Sequence, residues 1–240
     1  MRGDWPEDYQ AINELKTMAG AANYNSWIWN NIKDHIGNSI LEIGAGIGTF
    51  THYLCDYSKV HATDIADNCI EILKNRFLNH PNVIIAKFDI TRISELEYWA
   101  KQEIDTMICL NVLEHIDDDL DALKNLYSIV CGKAKLILMV PAFQFAFGKI
   151  DSVDGHFRRY SMGNLILKLD TAGFSTLNVR YFNSIGLLAW YYTNKVVRNE
   201  RTSPMKVRIY DKYFVPILSR IEGFAKPPFG QSIIAIAEKT

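Results

Sequence analysis

Gly44, Gly46 and Gly48 alternate in the run Leu41-Glu42-Ile43-Gly44-Ala45-Gly46-Ile47-Gly48-Thr49. Glycine permits tight turns and lets a ligand approach the backbone closely. A helix starting just after such a turn aims free N–H groups at that ligand. Alone, the run suits NAD, a flavin or another nucleotide. Its spacing is GxGxG, whereas dinucleotide sites favour GxGxxG. Asp64 follows Gly44 by twenty positions, where a carboxylate can accept from both hydroxyls of a ribose. Asp89 closes a later apolar run, and Asn111 to His115 close another.

A second group lies in Pro141–Tyr160. It combines Phe143, Phe145 and Phe147 with Asp151, Asp154, His156, Arg158 and Arg159. An imidazole can act as a general base near neutral pH. A guanidinium can fork onto a phosphate or carboxylate. The alternating phenylalanines can wall a pocket. The same residues also have a structural reading, in which the arginines pair with Asp151 and Asp154 to hold a lid shut and His156 caps a helix. His115 likewise reads either as a site residue or as a helix-start residue ahead of Asp117-Asp118-Asp119.

These residues need elements that bring them together. Tyr24, Trp27, Ile28, Ile32 and Ile36 recur at helical intervals and predict one amphipathic helix ending near Gly37-Asn38. Short apolar runs at 39–43, 60–63, 83–88, 106–110 and 135–140 predict strands. Helical segments near 49–56, 66–77, 95–101 and 117–130 alternate with them. That rhythm implies βαβ units and a parallel sheet covered on both faces, with a ligand crevice at the C-terminal strand ends. After Val140 the rhythm breaks into a loop-like 141–161. A helix at about 161–171, a strand near 175–182, a helical aromatic stretch at 184–228 and a last strand over 231–237 follow. The chain divides into a helical lead-in over 1–38 and one domain over 39–240, with lid insertions at about 141–161 and 184–228.

Composition narrows the class. The 240 residues are 48% hydrophobic and 22% charged, which is ordinary for a globular chain. The net charge of −1 argues against a dedicated nucleic-acid binder. Cys55, Cys69, Cys109 and Cys131 form no CxxC pair and no zinc spacing, and suit a reducing cytoplasm. The N-terminus has no apolar signal core. No compact ligand cluster suggests a metal.

With the glycine run, Asp64, Asp89 and Asn111 in order, the chain resembles the class I S-adenosylmethionine-dependent methyltransferases over about residues 20–140. The resemblance implies a Rossmann-like α/β fold with a seven-stranded sheet, helical lid insertions, S-adenosylmethionine as cofactor and S-adenosylhomocysteine as product. It sets Gly44, Ala45, Gly46 and Gly48 beside the methionine part, supported by Glu42. Asp64 and Ile65 go to ribose and adenine, Asp89 and Ile90 to the adenine amino group, and Leu110 and Asn111 near the amine. Tyr24 is the candidate for the carboxylate. The segment Gly155-His156-x-Arg158-Arg159-Tyr160 further resembles bacterial methyltransferases associated with polysaccharide or secondary-metabolite pathways. Ala172-Gly173-Phe174, Tyr181-Phe182-Asn183, Gly186, Trp190 and Gly230-Gln231-Ser232 extend that likeness.

The expected function is methylation of a small-molecule or lipid-linked sugar acceptor, at oxygen. His156 and His115 are the catalytic candidates, and Phe143, Phe147, Arg158, Arg159 and Tyr160 the acceptor-side ones. Alternatives are an N-methyltransferase of a small metabolite, a protein or RNA methyltransferase, or a non-catalytic cofactor binder. The expected location is cytoplasmic. Residues 184–210 hold five basic residues against Glu200, after the apolar run Ile185–Tyr192, so peripheral membrane contact is a further expectation.

Overall fold

The structure is a computed structural model that describes residues 9–197 and 203–240. Arg198, Glu200 and Arg201 of the basic stretch lie outside the described residues, as does the N-terminal octapeptide. Seven strands form one sheet: β1 (Ser39–Ile43), β2 (Lys59–Asp64), β3 (Val83–Lys87), β4 (Thr106–Leu110), β5 (Lys135–Pro141), β6 (Phe174–Phe182) and β7 (Ser232–Lys239). Their order is β3-β2-β1-β4-β5-β7-β6. β1 to β5 run parallel, and β7 enters antiparallel between β5 and β6. Parallel strands covered on both faces must be apolar almost throughout, and β1, β4 and β5 are so. The chain leaves β1 toward β2 in one direction and returns to β4 in the other, so the switch point lies between β1 and β4. Ligands bind at the carboxyl ends of such strands, where the glycine run and Asn111 stand.

Alternate residues of each strand enter opposite cores. Leu41, Ile43, Met107, Leu136 and Leu138 share one core with Leu123 and Leu126 of the helix Asp119–Ser128 and with Leu165 and Leu169 of the helix Met162–Ala172. Ile40, Ile108, Ile137 and Met139 face the other, with Trp27, Ile28 and Ile32 from the helix Ala22–Ile32 and Val215 and Leu218 from the helix Val215–Phe224.

The lead-in departs from expectation. It holds two helices, Tyr9–Ala19 and Ala22–Ile32, and a short 3-10 turn over Lys33–His35. They break at Gly20-Ala21, where glycine's poor helix propensity lets the chain turn. The 141–161 segment is less loop-like than expected: a 3-10 turn spans Gln144–Ala146 and a short helix spans Lys149–Val153. Residues beyond 183 form the helices Ser184–Tyr191, Pro204–Tyr213 and Val215–Phe224. Among the described residues no helix is long and apolar enough to cross a membrane.

Candidate active site

The glycine turn follows β1 directly. Gly44, Gly46 and Gly48 have φ of +68°, +57° and +83°, a region costly for residues with a Cβ. A Cβ on Gly44 would collide with Val112. Asp64 ends β2 beside the turn. Its Oδ2 accepts from the Gly46 N–H at 2.8 Å and its Oδ1 from the Ala66 N–H at 2.9 Å. Each oxygen keeps capacity for a further donor, but neither Asp64 nor Gly44, Gly46 and Gly48 border the cavity lined by Tyr24, Asn111 and His156. Burial raises the Asp64 pKa against the lowering effect of the backbone N–H groups of Ala66, Gly46 and Ile65.

Glu42 lies buried beneath the turn, where its Oε2 accepts from the Thr51 hydroxyl at 2.6 Å. Burial pushes its pKa up to about 8, with the Thr51 bond lowering it and Asp64 adding to the rise. Burial thus favours the uncharged form of Glu42 beneath the turn.

Asn111 continues from β4 with φ +54° and lines the cavity. Asparagine tolerates this left-handed conformation better than most residues. The Tyr24 ring packs on Phe182, and its hydroxyl is bonded to Asn183 and Ser232. Ile65 and Leu110 are half-buried at their strand ends.

Asp89 and Ile90 are placed differently. Asp89 Oδ1 accepts from the Thr91 N–H and hydroxyl, and its Oδ2 pairs with Arg92 at 3.3 Å, a local turn ahead of the helix Ile93–Ala100. Ile90 is buried in the core. Neither borders the cavity.

That cavity holds about 200 Å³ and is bordered by Tyr24, Asn111, Glu114, His156, Arg159 and Trp190 among others. Ordinary ligand pockets hold about 300–1,000 Å³. The helix Tyr9–Ala19 supplies part of this cavity's wall. Glu14, Thr17 and Met18 border the cavity, and Leu15 Cδ2 stands 3.2 Å from where a Gly46 Cβ would be.

Asp151 organises the segment that follows β5. It is fully buried. Its Oδ1 accepts from Arg159 Nε at 2.7 Å and meets His156 Nδ1 at 3.1 Å. Its Oδ2 accepts from the Gly148 N–H at 2.8 Å and from Asn194 Nδ2 at 2.9 Å. The buried carboxylate favours the tautomer with its proton on Nδ1, leaving Nε2 as the basic atom. Burial alone lowers the His156 pKa, but Asp151, Glu114 and Asp154 together raise it above the ordinary imidazole value. Arg159 also lies 4.7 Å over the Trp190 ring. Asn194 and Trp190 thus tie the segment after β6 to the segment after β5.

Three acceptor-side residues expected from sequence are engaged elsewhere. Arg158 donates to the carbonyls of Ile116 and Asp117 at 2.6 and 2.7 Å. The Tyr160 hydroxyl donates to Asp119 Oδ2 at 2.7 Å in the core. Phe143 stacks on Tyr181 at 4.9 Å. Phe147 is half-buried outside the cavity lining. Arg159 does border the cavity, but its Asp151 pairing makes it a clasp. The expected partners for a clasp were Asp151 and Asp154; Arg158 turns instead to Asp117 and Asp119, at 3.5 and 3.3 Å.

Glu114 is the residue that sequence reasoning left without a role. It is buried on the cavity floor, and Oε2 has no hydrogen-bond partner. Burial pushes its pKa up to about 7, against the lowering effect of His156 and Arg159. Its position between Asn111 and His115, at the end of a crevice strand, was the available signal. The His115 ring lies 4.5 Å from that of His156, edge to face, and bonds to the backbone of Asp154 and Gly155. Burial and His156 lower its pKa to about 3. Ligand atoms of Glu114, His115 and His156 lie within 4.8 Å of one another, a grouping that could hold a metal ion. Arg159 already supplies positive charge to Glu114, which favours a proton-handling reading.

A family model described as a methyltransferase domain matches residues 41–136. No curated protein matches the sequence. Among solved structures, the chain is similar to an S-adenosylmethionine-dependent methyltransferase from Archaeoglobus fulgidus, with TM-score 0.62, 18% identity and coverage of 97% of this chain and 100% of that one. One from Mesorhizobium loti has TM-score 0.59 and 11% identity over 89% and 98% of the two chains. One from Clostridium acetobutylicum has TM-score 0.58 and 13% identity over 91% and 92%.

Asp64→Ala removes the carboxylate beside the turn. Two charge-assisted bonds at about 1.5–3 kcal/mol each give an expected loss of at least about tenfold in S-adenosylmethionine affinity by calorimetry. Unchanged affinity in a folded variant would break the assignment of Asp64. The seven-stranded sheet has the fold of these methyltransferase structures, and residues 41–136 match the methyltransferase domain model.

Proposed function

We propose that the protein methylates an oxygen of a small-molecule or lipid-linked sugar acceptor, with His156 as general base. The observation carrying this reading is the buried Asp151–His156 pair at the cavity edge. When bound, S-adenosylmethionine supplies an electrophilic methyl group on a sulfonium. Gly44, Gly46 and Asp64 would hold the cofactor, and Asn111 and Tyr24 would border it. His156 Nε2 takes the acceptor's proton as its oxygen becomes nucleophilic, and Asp151 stabilises the resulting imidazolium. Trp190 and the N-terminal helix exclude water and hold the acceptor in line. His115 is less suited to be the base, because a pKa near 3 leaves its neutral ring little affinity for a proton at neutral pH.

A second reading, transfer to an amine, is favoured by Glu14, Glu114 and Asp154, which give the cavity lining three carboxyl groups. A neutral amine needs no base. The near-neutral charge of the chain and the small cavity favour either over RNA or protein acceptors.

The pH–rate profile separates the two. With His156 as base, transfer rises as the imidazole loses its proton, with a midpoint above the ordinary value of about 6.5. Glu114, pushed up to about 7, and Asp154, likewise about 7, titrate in the same range. Asp151, Arg159, His115 and Glu14 also face this group, so the measured midpoint belongs to the cluster. The experiment incubates the enzyme with methyl-labelled cofactor and hydroxyl or amine sugar acceptors across pH. Transfer confined to amines, or a profile that His156→Asn leaves unchanged, overturns the oxygen reading.

A further inference from the structure

We infer that the helices Ser184–Tyr191, Pro204–Tyr213 and Val215–Phe224 form a docking surface for an anionic lipid bilayer. The last two present apolar side chains to solvent at helical spacing. Met205, Ile209 and Tyr213 recur every four residues, and Phe214, Ile217, Ile221 and Phe224 every three or four. Such periodicity on an exposed face marks a stripe that the fold itself does not cover. Phe224 is 93% exposed and Met205 72%. Both helices turn their other faces toward the helix Ala22–Ile32, through Asp211 to Tyr24 and through Val215 and Leu218 in the shared core. The uncovered stripes therefore lie on the side away from that helix. Ile185, Leu188 and Tyr192 add a third stripe.

Charge identifies the occupant. Between Ser184 and Gly230 the described charged residues are Lys195, Lys206, Arg208, Asp211, Lys212, Arg220, Glu222 and Lys226. All six basic ones are exposed. Both acidic ones are buried: Asp211 accepts from the Asn23 and Tyr24 backbone, and Glu222 from the Asn183 and Ser184 N–H groups. The carboxylates are spent inside as helix-end acceptors, so among the described residues the solvent-facing charge of this surface is wholly positive. Aromatic and aliphatic stripes flanked by lysine and arginine match the headgroup layer of an anionic membrane. The helix that carries Trp190 at the cavity also exposes Leu188 and Tyr191. Docking would thus set the site beside the lipid surface, which suits the lipid-linked acceptor proposed above without depending on it.

Co-sedimentation with vesicles tests the inference. The full chain is expected to pellet with vesicles containing phosphatidylglycerol at about 0.1 M salt, and not with pure phosphatidylcholine. Lys206→Glu/Arg208→Glu/Lys212→Glu should weaken that binding at least tenfold, and so should Ile217→Asp/Ile221→Asp. Both variants change exposed residues outside the site, so S-adenosylmethionine affinity should stay unchanged, which separates this test from the methyltransferase reading. No binding to anionic vesicles at low salt overturns the inference. So does a stable dimer that Ile217→Asp/Ile221→Asp dissociates, because the occupant would then be a second copy of the chain.

Discussion

His156→Ala is expected to slow methyl transfer by about 10²–10⁴-fold, the usual contribution of a positioned general base. The mechanism rests on the pair with Asp151 at 3.1 Å, which fixes one ring nitrogen and leaves the other for the acceptor. The loss should fall equally on kcat and kcat/KM, because proton removal is an interaction of the transition state alone. S-adenosylmethionine affinity should stay close to that of the parent, since the glycine turn and Asp64 are left unchanged. The alkaline rise of the pH profile should vanish with it. Full activity in His156→Ala would reduce His156 to a structural cap and return the base assignment to Glu114 or Asp154, the carboxyl groups on the cavity wall pushed up to about 7.

Asp151→Ala carries the largest expected effect on stability. Asp151 and the Arg159 side chain are 0% and 2% exposed. Removing one partner of such a pair leaves a buried charge without compensation, at about 3–5 kcal/mol. Here the Gly148 N–H and Asn194 amide lose their acceptor as well. Chemical denaturation should read the loss, and Asp151→Ala/Arg159→Met should recover part of it by removing the stranded charge. Burial works to raise the Asp151 pKa, but His156, Arg159 and the Gly148 N–H hold it below the ordinary aspartate value. The pair's contribution is therefore complete above the unfolded value of about 3.9 and is lost as pH falls toward the lower folded value. A loss below about 1 kcal/mol would show that the lid opens and hydrates Arg159, so that the clasp does not hold it.

The glycine turn, Asp64 and the alternating strands were legible in sequence because each depends on local rules. Glycine is required where φ is positive, a short apolar run bounded by turns makes a buried strand, and a carboxylate at a strand end faces the crevice. Five parallel strands and the crevice position followed from those rules. The strand boundaries shifted by only a residue or so, from 175–182 to Phe174–Phe182 for example. The lead-in was harder. Its tyrosine, tryptophan and isoleucine periodicity was visible, but the break at Gly20-Ala21 and the fold of the first helix over Gly46 depend on contacts with the sheet.

The lid residues show the limit most clearly. His156, Arg158, Arg159 and Tyr160 are neighbours in the chain, and composition alone pointed all four at an acceptor. In the fold, Arg158 and Tyr160 turn to Asp119, 39 and 41 positions away by residue number, while Arg159 and His156 converge on Asp151. Asn194 reaches the same carboxylate from the second insertion. Likewise Asp211 and Glu222 count as charges in the sequence, yet both vanish from the surface because two distant helix starts need acceptors. Sequence by itself determined the sheet, the crevice and the glycine turn, because backbone conformation and strand burial are set by near neighbours. Tertiary structure alone decided which polar side chains remain available for chemistry, because a buried charge must find its partner wherever the fold places one.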